Sequence, residues 1–243
     1  MDHDMDHDRA IQASYYRSHV GPPERYDLIG AMQFNLMTFL GLRETHYLLD
    51  IGCGSLRGGR LFIPYLLPER YFGIEPEQWL IDDGIKNEIG QDSVQIKHPT
   101  FSNDSNFTLT AFGRSFDFLL AQSIFTHAAQ SHIHRCLSES AKVMTPQSVF
   151  AATIFLGKED YSGSEWQGAA PLTYRLETMQ AFARQQGLTC MLIGWPHPSG
   201  QTWLAFTRPE NEDAVTALCR QATHMWQPPK PGWRERLAGW RGD

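Results

Sequence analysis

The sequence runs to 243 residues, 42% of them hydrophobic and 20% charged, a balance that suits one good-sized globular domain with a full core and excludes a disordered chain. A formal net charge of −6 works against non-specific attraction to nucleic acid. Cys53, Cys136, Cys190 and Cys219 form no CxxC pair, which argues against a zinc ribbon or a disulfide framework and for reduced thiols.

The first residues, "MDHDMDHD", are too polar to bury and read as a tail. They are acidic where a signal peptide is basic and then apolar, and no apolar run approaches the roughly 20 residues that span a bilayer. A cytoplasmic address with no membrane contact is expected. From Ala10 to about Leu42 two helical stretches are separated by "GPPE", the second with an apolar face of Ile29, Met32, Phe34, Leu36, Met37 and Leu40. Residues 1–45 thus form a tail and helical cap.

A strand-and-helix alternation follows, with strands at His46–Ile51 and Tyr71–Glu75 and helices over about Arg57–Leu67 and Gln78–Ile89. Such alternation predicts parallel strands joined by right-handed crossovers. The third strand is expected at Phe107–Thr110, in preference to "VQIKH" from Val94. "FDFLLAQ" from Phe116 and "SVFAATIF" from Ser148 read as strands on either side of a helix from His132. A loop rich in Gly, Ser and Trp then leads to a helix at about Leu176–Gln186. "LTCMLIGW" and "TWLAFT", joined by "PHPSGQ" with His197 as a turn residue, form an antiparallel hairpin. Residues 46–208 make the main domain. The extension 209–243 holds a helix, the break "QPPKPG", and a last helix with Trp233, Leu237 and Trp240 on one face. That face is expected to dock on its own domain or on the mate in a homodimer.

Chemistry concentrates in "LLDIGCGSLRGG" at Leu48–Gly59. At the end of a buried strand, Gly52 and Gly54 allow a sharp turn and a closer ligand approach than any Cβ would permit. Asp50 is expected to fix the loop by accepting backbone hydrogen bonds. Glu75, at the end of the next strand and 25 residues after Asp50, can accept from both ribose hydroxyls of an adenosine. The GxGxxG turn of a dinucleotide site would need glycine at position 57, where Arg57 stands, so an NAD-dependent reductase is disfavoured.

"LLDIGCG" resembles the nucleotide-binding motif of the class I S-adenosylmethionine-dependent methyltransferases, "YFGIEP" its second motif, and "FDFLLAQSIFTH" its fourth strand and following loop. The resemblance covers about Tyr47 to Thr207. It implies an α/β, Rossmann-like seven-stranded sheet in the order 3-2-1-4-5-7-6 with the last strand antiparallel, flanked by helices, and S-adenosylmethionine as cofactor. It also implies that Gly52 and Gly54 contact the methionine half, with backbone groups from Cys53 and Ser55. Glu75 would bind the ribose, Pro76 would shape the adenine pocket, and Gln122 and Ser123 would lie beside the sulfonium and amino-acid end. Phe112 is expected as an adenine-stacking surface. Tyr15 and Tyr16 could close over the cofactor as a lid or simply pack in the core.

His127 falls at the carboxyl edge of the fourth strand, where a neutral imidazole could take a proton from an acceptor hydroxyl, or could simply bond backbone. His127, His132 and His134 lack metal-ligand spacing, so no metal is expected. Tyr161, Trp166 and Tyr174 are expected to line an acceptor pocket. The expected activity is methyl transfer to a small molecule, most readily at oxygen, a hydroxyl or a carboxylate. An N-methyltransferase and a non-catalytic adenosyl-binding scaffold stay open beside it.

Overall fold

The computed structural model describes residues 15–168 and 171–225. The polar tail and the stretch with Trp233, Leu237 and Trp240, expected as a helix, lie outside the described residues. The run 48–51 is buried throughout, as a central parallel strand must be, and forms β1 (Leu48–Ile51). Around it the strands β2 (Tyr71–Ile74), β3 (Thr100–Ser102), β4 (Phe116–Ala121) and β5 (Met144–Leu156) are all parallel. β7 (Thr189–Ile193) and β8 (Thr202–Thr207) form the expected hairpin, with β8 antiparallel to both β5 and β7. The order is β3-β2-β1-β4-β5-β8-β7. The short β6 (Thr173–Tyr174) pairs with the far end of β5 outside this path. With β6 set aside, the expected order and its antiparallel last strand are observed.

Alternate strand residues feed two cores, as the period of a strand requires. Leu48, Phe118, Leu120, Val149 and Ala205 pack with α1 (Tyr26–Phe39), α2 (Gly59–Tyr65) and α7 (Glu212–Met225). Leu49, Ile51, Leu119, Phe150 and Phe206 pack with α5 (Gln130–Val143) and α6 (Leu176–Gln185) on the other face. Helices α1 and α7, which precede and follow the sheet in sequence, share one core with it.

The third strand is a correction. It is Thr100–Ser102, whereas Phe107–Thr110 lies in a turn in which Phe107 is left-handed (φ 57°) and Leu109 is buried in a 3-10 helix. β3 is a short edge strand without a buried side, so it lacks the apolar run that marks inner strands. Val94 belongs to α4 (Gln91–Lys97). The helix expected to run unbroken to Ile89 is α3 (Gln78–Gly84) followed by a π turn, Ile85–Ile89.

Candidate functional site

At the carboxyl end of β1, the amides of Gly52 and Cys53 both donate to the Ile74 carbonyl, at 2.8 and 3.0 Å. The chain then turns through left-handed residues at Gly52 (φ 73°), Gly54 (φ 53°) and Leu56 (φ 60°). A Cβ on Gly52 would stand 2.0 Å from Ile124 Cδ1, and one on Gly54 would stand 2.7 Å from Val20 Cγ1. Glycine suits both places, because the backbone is left-handed and a Cβ would force Ile124 or Val20 aside.

Glu75, 9% exposed, closes this loop from the next strand: its Oε2 accepts from the Gly54 amide at 3.1 Å and its Oε1 from the Glu77 amide at 3.0 Å. Burial pushes its carboxyl up against the pull of those two amides. A carboxylate offers about four acceptor positions, so these bonds leave room for a ligand's hydroxyls. Cys53 is buried, which raises its thiol pKa, and Pro76 is exposed beside Glu75. The Ser55 carbonyl and hydroxyl lie 2.8 and 3.2 Å from the Tyr26 hydroxyl. Asp50 departs from expectation, since it accepts from the Tyr71 hydroxyl at 2.8 Å and not from the loop's backbone. Burial raises it to about 6, opposed by that bond and by the charge of Arg57.

A second polar cluster stands at the end of β4. Gln122 Oε1 accepts from Gln33 Nε2 at 2.8 Å and from Arg57 Nη2, while its Nε2 reaches Gln201 Oε1 at 3.3 Å and His197 Nε2 at 3.2 Å. Ser123, itself left-handed (φ 64°), donates its amide to Thr153 Oγ1 at 2.7 Å and accepts from Gln201 Nε2 at 2.9 Å. Burial, with Arg57 and Arg25 nearby, pushes the His197 imidazole down to about 4, so it is neutral at pH 7. Arg57 is 8% exposed and donates from Nη1 to the Val20 carbonyl at 2.7 Å. Val20, Gln33, Asp50, Gly52, Arg57 and Gln122 line a cavity of about 20 Å³, room for a single water.

Residues 15–20 cross the mouth of this site as a strap. Tyr15 stacks on Trp79 (5.5 Å, 27°), His19 meets the same indole edge-on at 5.0 Å, and Val20 covers Gly54. Tyr16 is buried and donates to Glu88 at 2.7 Å. Glu88 also pairs with Arg17 at 2.6 Å and Arg60 at 3.3 Å.

On the other side, the β4–α5 turn carries His127. Its ring Nδ1 lies 2.8 Å from the Gln167 carbonyl; a carbonyl only accepts, so Nδ1 carries the hydrogen and Nε2 is the basic nitrogen of the neutral ring. Trp166, 45% exposed, stacks on His127 (6.3 Å, 27°), and Tyr161 accepts from Gln167 Nε2 at 3.2 Å. Tyr174 was expected on this wall and is instead a core residue, fully buried, its hydroxyl donating to the Ala128 carbonyl at 2.6 Å. Phe112 is a second correction. It packs edge to face on Phe72 and Phe116 at 5.4 and 5.9 Å, towards the amino end of the strands and away from the glycine loop. With β3 at its true position, Asn103 and Asp104 follow the third strand; Asn103 donates to the Glu75 carbonyl at 2.9 Å, and Asp104 accepts from the Asn106 and Thr108 amides.

Arg57, Gln33, His197 and Gln201 were not singled out by the sequence as site residues. Arg57 stands inside the glycine motif and signalled itself only as a mismatch to a dinucleotide turn. Among the described residues, no group of three or more His, Cys, Asp or Glu is placed to hold a metal, and no helix is long and apolar enough to cross a membrane.

No family model and no curated protein matches the sequence. Solved structures do match in shape. The CcbJ methyltransferase from Streptomyces caelestis is 12% identical with a TM-score of 0.57, covering 81% of this chain and 95% of its own. Magnesium protoporphyrin IX methyltransferase from Synechocystis PCC 6803, solved with bound SAM, is 13% identical at 0.54, covering 79% and 89%. The glycopeptide N-methyltransferase MtfA, complexed with S-adenosyl-L-methionine, is 8% identical at 0.56, covering 74% and 94%. Strand order, the antiparallel β8 and these likenesses agree: the chain has the fold of the class I S-adenosylmethionine-dependent methyltransferases.

Proposed function

We propose that this protein transfers a methyl group from S-adenosylmethionine to a small-molecule acceptor, at a hydroxyl or carboxylate oxygen, with residues 46–208 as the catalytic domain. The observation that carries the reading is the Gly54–Glu75 bond. It joins a left-handed glycine turn to a buried carboxylate at the carboxyl edge of adjacent parallel strands, where ligands of open α/β sheets bind. The residues suit the ligand: Glu75 retains acceptor positions for ribose, Pro76 flanks the adenine, and Gly52, Cys53, Gly54 and Ser55 present backbone. Gln122 and Ser123 stand at the amino-acid end, and Asp50, held by Tyr71, lies beneath the turn. Val20 and Ile124 lie over the glycines, so admission of the ligand requires the strap to move.

The sulfonium supplies an already activated methyl group, so the chain's task is orientation and exclusion of water. His127, with Nδ1 held by Gln167, presents Nε2 to take the proton of an acceptor hydroxyl. Trp166 and Tyr161 provide an aromatic wall for that acceptor. One of the solved structures named above is an N-methyltransferase; oxygen is preferred here because His127 Nε2 is free to take the proton of a hydroxyl while Gln167 holds Nδ1.

Calorimetric titration with S-adenosylmethionine, its demethylated product and NADH tests the reading. The adenosyl ligands should bind and NADH should not. Glu75→Ala should weaken adenosyl binding roughly 30-fold through loss of charge-assisted bonds to ribose. Binding of NADH alone, or an unchanged affinity in a folded Glu75→Ala, would sink it.

A further inference from the structure

In the loop after β5, the Asp160 carboxylate gathers four donors. Its Oδ1 accepts from the Arg175 amide at 2.8 Å, and its Oδ2 accepts from Arg175 Nε at 2.9 Å, Arg175 Nη2 at 2.7 Å and the Thr178 hydroxyl at 2.7 Å. Against burial, which raises it, these bonds hold the carboxyl below its usual range. An ion pair at the surface is ordinarily worth little, but a carboxylate that takes two N–H groups of one guanidinium and two further donors is fixed in direction. Its partners stand at the start of α6, where the helix dipole favours a negative charge.

The next residue, Tyr161, is set against the end of β6: its amide donates to the Thr173 carbonyl at 3.0 Å, and its own carbonyl accepts from Gln130 Nε2 at 2.8 Å. The loop then closes round the Tyr161 ring. A Cβ on Gly163 would stand 2.1 Å from the Tyr161 hydroxyl, which donates to the Glu165 carbonyl at 3.4 Å and accepts from Gln167 Nε2 at 3.2 Å. Gln167 in turn brackets His127, since its amide donates to the His127 carbonyl at 2.9 Å and its carbonyl takes the ring's Nδ1 hydrogen at 2.8 Å. Trp166, just before it, stacks on the same imidazole and meets His132 at 6.2 Å. A carbonyl free to swing away would leave the imidazole proton to either nitrogen.

We propose that Asp160 is a positioning residue for the methyl transfer: by anchoring Tyr161, round which the loop folds, it keeps the Gln167 carbonyl on His127 Nδ1 and so keeps Nε2 the basic nitrogen. Asp160 acts only through Tyr161 and Gln167. The proposal rests on the reading of His127 as the group that takes the acceptor's proton.

The test is nuclear magnetic resonance of the histidine ring nitrogens, with His127 assigned by its loss in His127→Ala. Wild type should carry the hydrogen of the neutral His127 ring on Nδ1. Asp160→Asn removes the charge and turns a donor towards the donors of Arg175 and Thr178, so this signature should give way to a mixture of both tautomers. Adenosyl affinity by calorimetry should stay within about 2-fold, and methylation of an acceptor found by screening should slow roughly 10-fold. Asp160→Glu, which keeps the charge, should recover part of both losses. A role confined to stability would lower the melting temperature without moving the tautomer. An unchanged His127 signature in a folded Asp160→Asn therefore overturns the proposal, as does a wild-type ring with its hydrogen on Nε2. If the signature moves but His127→Ala leaves the rate unaltered, the reading of His127 has failed and this one goes with it; if His127→Ala slows the rate while the signature stays fixed in Asp160→Asn, only this one falls. Should Asp160→Asn show no cooperative melting transition, Tyr161→Phe carries the same test. It keeps the ring and the Asp160 bonds and removes only the hydroxyl that holds Glu165 and Gln167, and an unaltered signature there counts against the proposal.

Discussion

At the amino end of the sheet, Phe72, Phe112 and Phe116 meet edge to face with ring centres 5.2 to 5.9 Å apart, and Arg114 lies over the Tyr47 ring. At the carboxyl end of the same strands, Asp50, Glu75, Arg57 and Gln122 are buried, and Gly52, Gly54, Leu56 and Ser123 adopt left-handed backbone. One end is closed by apolar area and aromatic geometry, which stabilise without further conditions. The other retains buried charge and backbone strain that each cost of order 1–3 kcal/mol. Buried charge and strained backbone cluster where ligands bind, and the contrast supports the proposed site at the carboxyl end.

The sharpest way to break this contrast is Phe116→Ala. The side chain is fully buried, so its loss should lower unfolding free energy by about 3–5 kcal/mol in a denaturant titration while adenosyl affinity stays as it was. A parallel fall in affinity would mean that the two ends are coupled. Asp50→Asn probes the polar end. Because the Asp50 carboxyl is raised to about 6 from 3.8, between those values the native state holds a proton that the unfolded chain releases. Its ionisation therefore costs the native state more as pH rises through that window. Relative to wild type, Asp50→Asn should gain about 2 kcal/mol in unfolding free energy from pH 4 to pH 7. A constant difference across that range would show that Asp50 is at ease where it is. His127→Ala sharpens the functional side: with an acceptor found by screening, the methylation rate should fall roughly 100-fold at unchanged cofactor affinity. An unaltered rate returns His127 to a structural part.

Much of this was legible before the structure. The apolar run Leu48–Ile51 announces a central parallel strand because both faces of that strand are buried, and Gly52 and Gly54 announce the turn after it. The spacing also puts Glu75 beside the glycine turn, where its carboxylate accepts from the Gly54 amide. β3 was not legible, because an edge strand needs neither alternation nor an apolar run, and the error carried Phe112 with it: an aromatic placed just after a supposed strand end packs in fact on Phe72 and Phe116. Tyr174 misled in another way. It follows a polar loop, as a pocket wall does, yet β6 pairs it with Leu156 and turns it inward. Arg57 was visible and read only as a mismatch, since a motif gives no measure of which charges will be buried.

The antiparallel β8 has a consequence for the order in which the protein is made. Running against β5, it begins at the carboxyl edge, so Gln201, just before it, meets Gln122 and Ser123, and the loop ahead of it meets Arg25 through the Pro198 carbonyl and Ser199 hydroxyl. Synthesis proceeds from the amino terminus, and segments fold as they emerge. Gln122 and Ser123 therefore leave the ribosome well ahead of the residues that complete their hydrogen bonds. A nascent chain halted before Gln201 would hold the glycine turn beside an unfinished polar cluster, so the proposed site is completed only with the last strand.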